Sequence, residues 1–129
     1  MSYLLDANAL LDLIKRKKLV AGYNILDLTL YEVGNTIWKE TVLFETLTKD
    51  DAIKFMANFA NIVRKLNIIR IQEDIDKIME IAIQERLTFY DAAYLYFATK
   101  NKLILVTNDK KLYDVAKTKI KVIRSSEIK

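Results

Sequence analysis

A chain of 129 residues with 52% hydrophobic side chains has room for one domain and enough apolar material to bury a full core. It has no Cys and no His, which excludes disulfides, thiolate chemistry, imidazole-held metals and the usual general base near neutral pH. Any hydrolytic chemistry must rest on carboxylates, Lys, Tyr or a bound metal, and a formal charge of +4 suits a polyanionic partner without demanding one.

The first strand is expected at Tyr3, Leu4 and Leu5, a short apolar run that stops at Asp6. No leader pattern precedes it and no apolar run approaches the ~18 residues that span a bilayer, so the expectation is one soluble cytoplasmic domain over residues 1–129 with no membrane contact. Ala9, Leu10, Leu13 and Ile14 then recur at helical spacing up to the cations Lys15, Arg16, Lys17 and Lys18, which complement a helix dipole or touch phosphate. Gly22 breaks the pattern, and a second strand is expected over Tyr23 to Leu28.

Thr29-Leu30-Tyr31-Glu32 is expected to open a helix through about Phe44, with Gly34 marking a close backbone approach and Trp38 in the core or anchoring an interface. A third helix begins at Thr48-Lys49-Asp50-Asp51, and Ile68, Ile69 and Ile71 form a third strand. Helices over Glu73 to Arg86 and Thr88 to Lys100 follow; the second is apolar nearly all round and should be central. Leu103 to Val106 reads as a strand covered on both faces, Asp109 to Lys117 as a last helix, and Lys121 to Ile123 as an edge strand. Strands alternating with helices imply a mostly parallel sheet with helices on both faces.

Asp6 and Asp109 are expected to end strands, and Glu32 and Asp91 to sit in first turns of helices. In a parallel sheet these places share one edge. The competing reading is structural, since Thr29-x-x-Glu32, Thr88-x-x-Asp91 and Thr48-x-x-Asp51 all fit capping boxes and Asp6 and Asp109 fit N-caps. Two carboxylates ~5 Å apart at an effective dielectric of ~20 repel by about 3 kcal/mol, so a cluster needs a cation. With no His or Cys, a hard ion on oxygen ligands, Mg²⁺ or Mn²⁺, is the natural one.

The segments Leu4-Leu5-Asp6-Ala7-Asn8, Tyr31-Glu32-Val33, Tyr90-Asp91 through Ala98, and Leu105-Val106-Thr107-Asn108-Asp109-Lys110-Lys111-Leu112 resemble, in order, the motifs of PIN-domain nucleases. The small size resembles the VapC-type ribonuclease toxins within that family. The resemblance implies a three-layer α/β/α domain with a parallel sheet of strand order 3-2-1-4-5, and Mg²⁺- or Mn²⁺-dependent endonucleolytic hydrolysis of RNA. It implies Asp6, Glu32, Asp91 and Asp109 as acidic ligands, with Asn8 and Thr107 hydrogen-bonding to Asp6 or the attacking water. It also implies a homodimer held inactive by a cognate antitoxin. Lys15, Arg16, Lys110 and Lys111 are candidate phosphate contacts. An RNA-processing nuclease outside a toxin pair, a non-catalytic RNA-binding relative and a phosphoryl-accepting receiver-like module are the alternatives, the last disfavoured because Asp6-Ala7-Asn8 offers no adjacent acid pair.

Overall fold

Leu4 and Leu5 are neighbours in the first strand, β1 (Tyr3–Leu5), and both are fully buried, yet they belong to different cores. Successive side chains of a strand point to opposite faces, so a strand buried on both sides feeds two cores at once. The same division holds for Ile25 and Leu26 of β2 (Asn24–Leu26) and for Leu105 and Val106 of β4 (Ile104–Val106). The computed structural model describes residues 2–129.

With β3 (Asn67–Ile69) and β5 (Val122–Ile123) these strands make a five-stranded sheet of order β3-β2-β1-β4-β5, parallel at every pairing. Tyr3, Leu4 and Leu5 lie opposite Ile104, Leu105 and Val106, so the ends of the two central strands are level. Helices α1 (Ala7–Lys15), α2 (Asp27–Trp38) and α3 (Lys49–Val63) supply buried residues to the core holding Leu5. Helices α4 (Ile75–Glu85), α5 (Phe89–Lys100) and α6 (Lys110–Ala116) pack on the face holding Leu4. This is the three-layer arrangement, and α5 is central, with Ala92, Ala93, Tyr94, Leu95, Phe97 and Ala98 all buried.

The helix expected from Thr29 to Phe44 is two pieces. It begins earlier, at Asp27, and after Trp38 it widens into a π-helical turn over Lys39–Leu43 in which the Phe44 N–H reaches back to the Lys39 carbonyl at 2.9 Å. Glu32 is therefore in the second turn, not the first. Gly34 meets no backbone closely: a Cβ there would find only the Met56 side-chain tip at 3.9 Å, an ordinary contact. Trp38 is half exposed rather than core. The helix expected from Glu73 opens as a 3₁₀ turn over Gln72–Asp74 before α4. No helix of the described residues is long and apolar enough to cross a membrane.

Candidate active site

Asp6 follows β1 immediately and serves as N-cap of α1: its Oδ1 accepts the Ala9 N–H at 2.8 Å. Its Oδ2 accepts the hydroxyl of Thr107, a fully buried residue directly after β4. The Thr107 oxygen in turn accepts the Asp109 N–H at 3.1 Å, and Asp109 caps α6 through the Leu112 N–H at 2.8 Å. One threonine thus ties the two strand ends together and fixes both acids. The loop is pinned from below by Asn108, which donates to Ser125 Oγ at 2.7 Å and accepts the Ser125 N–H at 3.1 Å.

The walls come from α2 and α5. Glu32 on α2 accepts the Tyr94 hydroxyl at 2.8 Å, and the same hydroxyl lies 2.6 Å from Thr29 Oγ1, which accepts the Leu26 N–H at 3.2 Å. Asp91 is one turn before Tyr94 on α5. Its N–H donates to Thr88 Oγ1 at 3.1 Å, but among the described residues its carboxylate accepts no hydrogen bond. At Thr48 and Asp51 the box closes in both directions, the Asp51 carboxylate accepting the Thr48 N–H at 3.2 Å. Two sequences of one pattern differ here, since the acid at Asp91 is left free to face the pocket.

Asp6, Glu32, Asp91 and Asp109 line one cavity of about 380 Å³, with Asn8, Tyr31, Asn35, Lys39, Tyr90 and Tyr94 completing much of its wall. Burial pushes the Asp6 carboxyl up to about 6, against the opposing hydrogen bonds from Thr107 and Ala9, and the Asp91 and Asp109 charges push it further the same way. Glu32 is raised by burial, with its Tyr94 hydrogen bond opposing and the Asp6 and Asp91 charges adding. Asp91 is raised by burial and by Asp109, and partly relieved by Lys111. These are carboxylates close enough to feel one another and deep enough to resist ionising.

Carboxylate, hydroxyl and amide oxygens are the donors available, a set that suits a hard divalent ion. Among the described residues no group of three or more acidic side chains stands close enough together to hold an ion as placed. An ion such as Mg²⁺ keeps several waters and takes only one or two carboxylates directly, so the pocket fits by donor type and charge.

Asn8 lies exposed at the pocket and makes no hydrogen bond to Asp6, whereas Thr107 does. Arg16 is engaged away from the cavity, by Asp12 at 2.9 Å and the Ser125 carbonyl at 2.9 Å; Lys110 pairs with Asp114 at 2.7 Å, and Lys15 is exposed. Of the four cations expected to meet phosphate, Lys111 alone bears on a pocket acid. Sequence reasoning missed Tyr94, Thr29 and Lys39. Tyr94 sits in an apolar run that reads as pure core, and the only signal was a hydroxyl on a helix with Asp91 in its first turn.

The model of the PIN domain family matches residues 3–118. The chain belongs to the PIN-domain family. This PIN domain is 37% identical over 128 residues to the protein named exonuclease VapC9 of Pyrobaculum aerophilum, covering 92% of this chain and 87% of that one. It is 31% identical over 87 residues to the same organism's ribonuclease VapC3, covering 67% and 66%. Its fold matches the crystal structure of PAE2754 from Pyrobaculum aerophilum with a TM-score of 0.80 at 34% identity, covering 98% and 90% of the two chains. A chain of a toxin-antitoxin complex from Klebsiella pneumoniae shares the PIN fold with a TM-score of 0.66 at 24% identity, over 98% of this chain and 99% of that one.

Proposed function

We propose that this PIN domain is a metal-dependent ribonuclease that cuts RNA phosphodiesters internally, the toxin of a toxin-antitoxin pair. The observation that carries the reading is the convergence of Asp6, Glu32, Asp91 and Asp109 on one cavity in a chain without His or Cys. The four acids would hold Mg²⁺ or Mn²⁺ together with the attacking water. When bound, such an ion lowers the pKa of a coordinated water and offsets charge on the phosphodiester. Hydrolysis forms one bond from water oxygen to phosphorus and breaks one P–O bond, the water's proton ending on the leaving oxygen. Thr107 keeps Asp6 and Asp109 in register, Tyr94 fixes Glu32, and Asp91, free of structural bonds, takes or steadies the proton. Lys39, which lines the cavity, and Lys111, which bears on Asp91, would meet the phosphate charge.

The partners follow from what the fold leaves uncovered. Beyond Lys39, which lines the pocket, the chain continues into exposed Val42, Leu43 and Phe44, a surface on which an antitoxin segment would dock. Ile75, Met79 and Ile83, spaced four apart on α4, form a separate apolar stripe suited to a second copy in a homodimer. That a chain of the Klebsiella toxin-antitoxin complex has this fold supports the antitoxin reading, and the name of ribonuclease VapC3 supports RNA.

Because a relative is named an exonuclease, the test uses linear and covalently closed circular RNA side by side. Cleavage of both with Mn²⁺, abolished by EDTA and by Asp91→Asn with the fold intact, is expected. Undiminished cleavage in EDTA contradicts the reading, and cleavage of linear RNA alone replaces internal with terminal attack.

A further inference from the structure

The side chains at the mouth of the cavity carry an assignment of their own, which rests on the RNA reading above. Tyr31 immediately precedes Glu32 on α2 and Tyr90 immediately precedes Asp91 on α5, and both residues line the same pocket, one from each helix. Tyr31 is 79% exposed and Tyr90 54% exposed, although the residues on either side of each, Leu30 and Glu32 on α2 and Phe89 and Asp91 on α5, are half-buried. Neither ring lies within stacking or edge contact of another aromatic ring of the described residues. Two large apolar faces are thus held in water beside the acids.

The charge balance of the pocket makes these rings useful. Four carboxylates line it against one lysine, Lys39, with Lys111 bearing on Asp91 from outside the lining, while Arg16 and Lys110 are paired with acids elsewhere. A polyanion gains little there from the protein's own charge, so affinity for nucleic acid has to come from the bound ion and from contacts to something other than phosphate. Base faces stack on aromatic rings irrespective of sequence, and only unpaired bases have faces to offer, because those of a duplex are already stacked on each other.

We propose that Tyr31 and Tyr90 are base-stacking subsites, one for each nucleotide flanking the phosphate to be cut. The bases flanking the scissile linkage splay apart onto the two rings, which draws the phosphate between them down to the carboxylates. Since stacking needs the ring and not its hydroxyl, phenylalanine serves as well as tyrosine.

Fluorescence anisotropy of a labelled single strand of mixed sequence, with Ca²⁺ supplied as the ion, tests this on the full chain. Tyr31→Ala and Tyr90→Ala should each weaken binding about five- to hundredfold, while Tyr31→Phe and Tyr90→Phe stay within about twofold of wild type. A duplex of the same sequence should bind weakly and alike in every variant. Mn²⁺ affinity should be the same throughout, which separates loss of stacking from damage to the ion site. Unchanged single-strand binding in both alanine variants, or no rescue by phenylalanine, overturns the assignment and returns the rings to a protein-docking face. Failure of the wild type to cut any RNA with Mn²⁺ would instead strike the ribonuclease reading, since binding is read here without turnover.

Discussion

Tyr94 has one hydroxyl hydrogen and two oxygen neighbours, and the acceptor-only carboxylate of Glu32 decides where it goes. The Tyr94 hydroxyl donates to Glu32, so Thr29 must donate to Tyr94, and Thr29 in turn accepts the Leu26 N–H. A backbone amide at the end of β2 therefore orients an acid on α2 through two buried hydroxyls. Tyr94→Phe should cost about 1–2 kcal/mol of stability by leaving Thr29 without its acceptor, and should weaken Mn²⁺ binding roughly tenfold as Glu32 loses its anchor. Calorimetric titration alongside thermal melts checks both, and unchanged Mn²⁺ affinity would deny the positioning role. Asp91 and Asp51 teach the complementary lesson. Each lies three residues after a Thr that caps its helix, yet only Asp51 completes the box. Asp51 is on the exposed surface, where reaching back to the cap is the best partner available; Asp91 lies half-buried beside other acids and Lys111. The pattern in the sequence was identical, and only the neighbours brought by the fold separate a cap from a site residue.

Three helices end in one manner that the sequence conceals. At the C-termini of α1, α4 and α5, Lys17, Arg86 and Lys102 adopt left-handed backbone with φ near 55°, and the following N–H reaches the carbonyl five residues back: Lys18 to Leu13 at 2.9 Å, Leu87 to Ala82 at 3.0 Å, Leu103 to Ala98 at 2.9 Å. Glycine usually fills that position, and with two glycines in the chain the signal is missing. That is why helix ends drift by a residue or three between expectation and structure. Lys102→Gly and Arg86→Gly should each stabilise the protein by about 0.5–1 kcal/mol, the relief of left-handed strain exceeding the entropy glycine adds to the unfolded chain. Denaturant midpoints test this; a loss of stability in both would show that the side chains hold the ends. The π turn after Trp38 was equally illegible, because one extra residue per turn leaves the apolar spacing of Val33, Ile37 and Val42 looking like a single helix. By contrast the central place of α5 was plain from its all-round apolarity, and β1 from an apolar run stopped by an acid.

At the scale of the whole molecule, the sheet brings together acids a hundred residues apart and the fold bears their repulsion. Alternation of strands and helices pointed to a parallel sheet; the strand order came from the resemblance, since nothing in local pattern orders strands. Asp6 has a carboxyl at about 6 in the fold against 3.8 ordinarily, so the native state holds a proton that the unfolded chain has released across that window. Stability of the ion-free protein therefore falls as pH rises from about 4 to 7, by about 3 kcal/mol from Asp6, with Glu32 and Asp91 adding in the same direction. Melts in EDTA should show a lower Tm at pH 7.5 than at pH 5, and Mn²⁺ should raise Tm more at pH 7.5, where the carboxylates are ionised. The apolar surfaces on α4 and beyond α2 lie apart from the cavity, where the acids meet. The most direct test is Mn²⁺ titration followed by electron paramagnetic resonance, comparing wild type with Asp91→Asn, whose carboxylate has no structural bond to lose. A saturable site in the wild type that weakens at least tenfold in the variant is the result expected; no saturable site in the wild type, or equal binding in both proteins, would contradict a shared ion among the four acids.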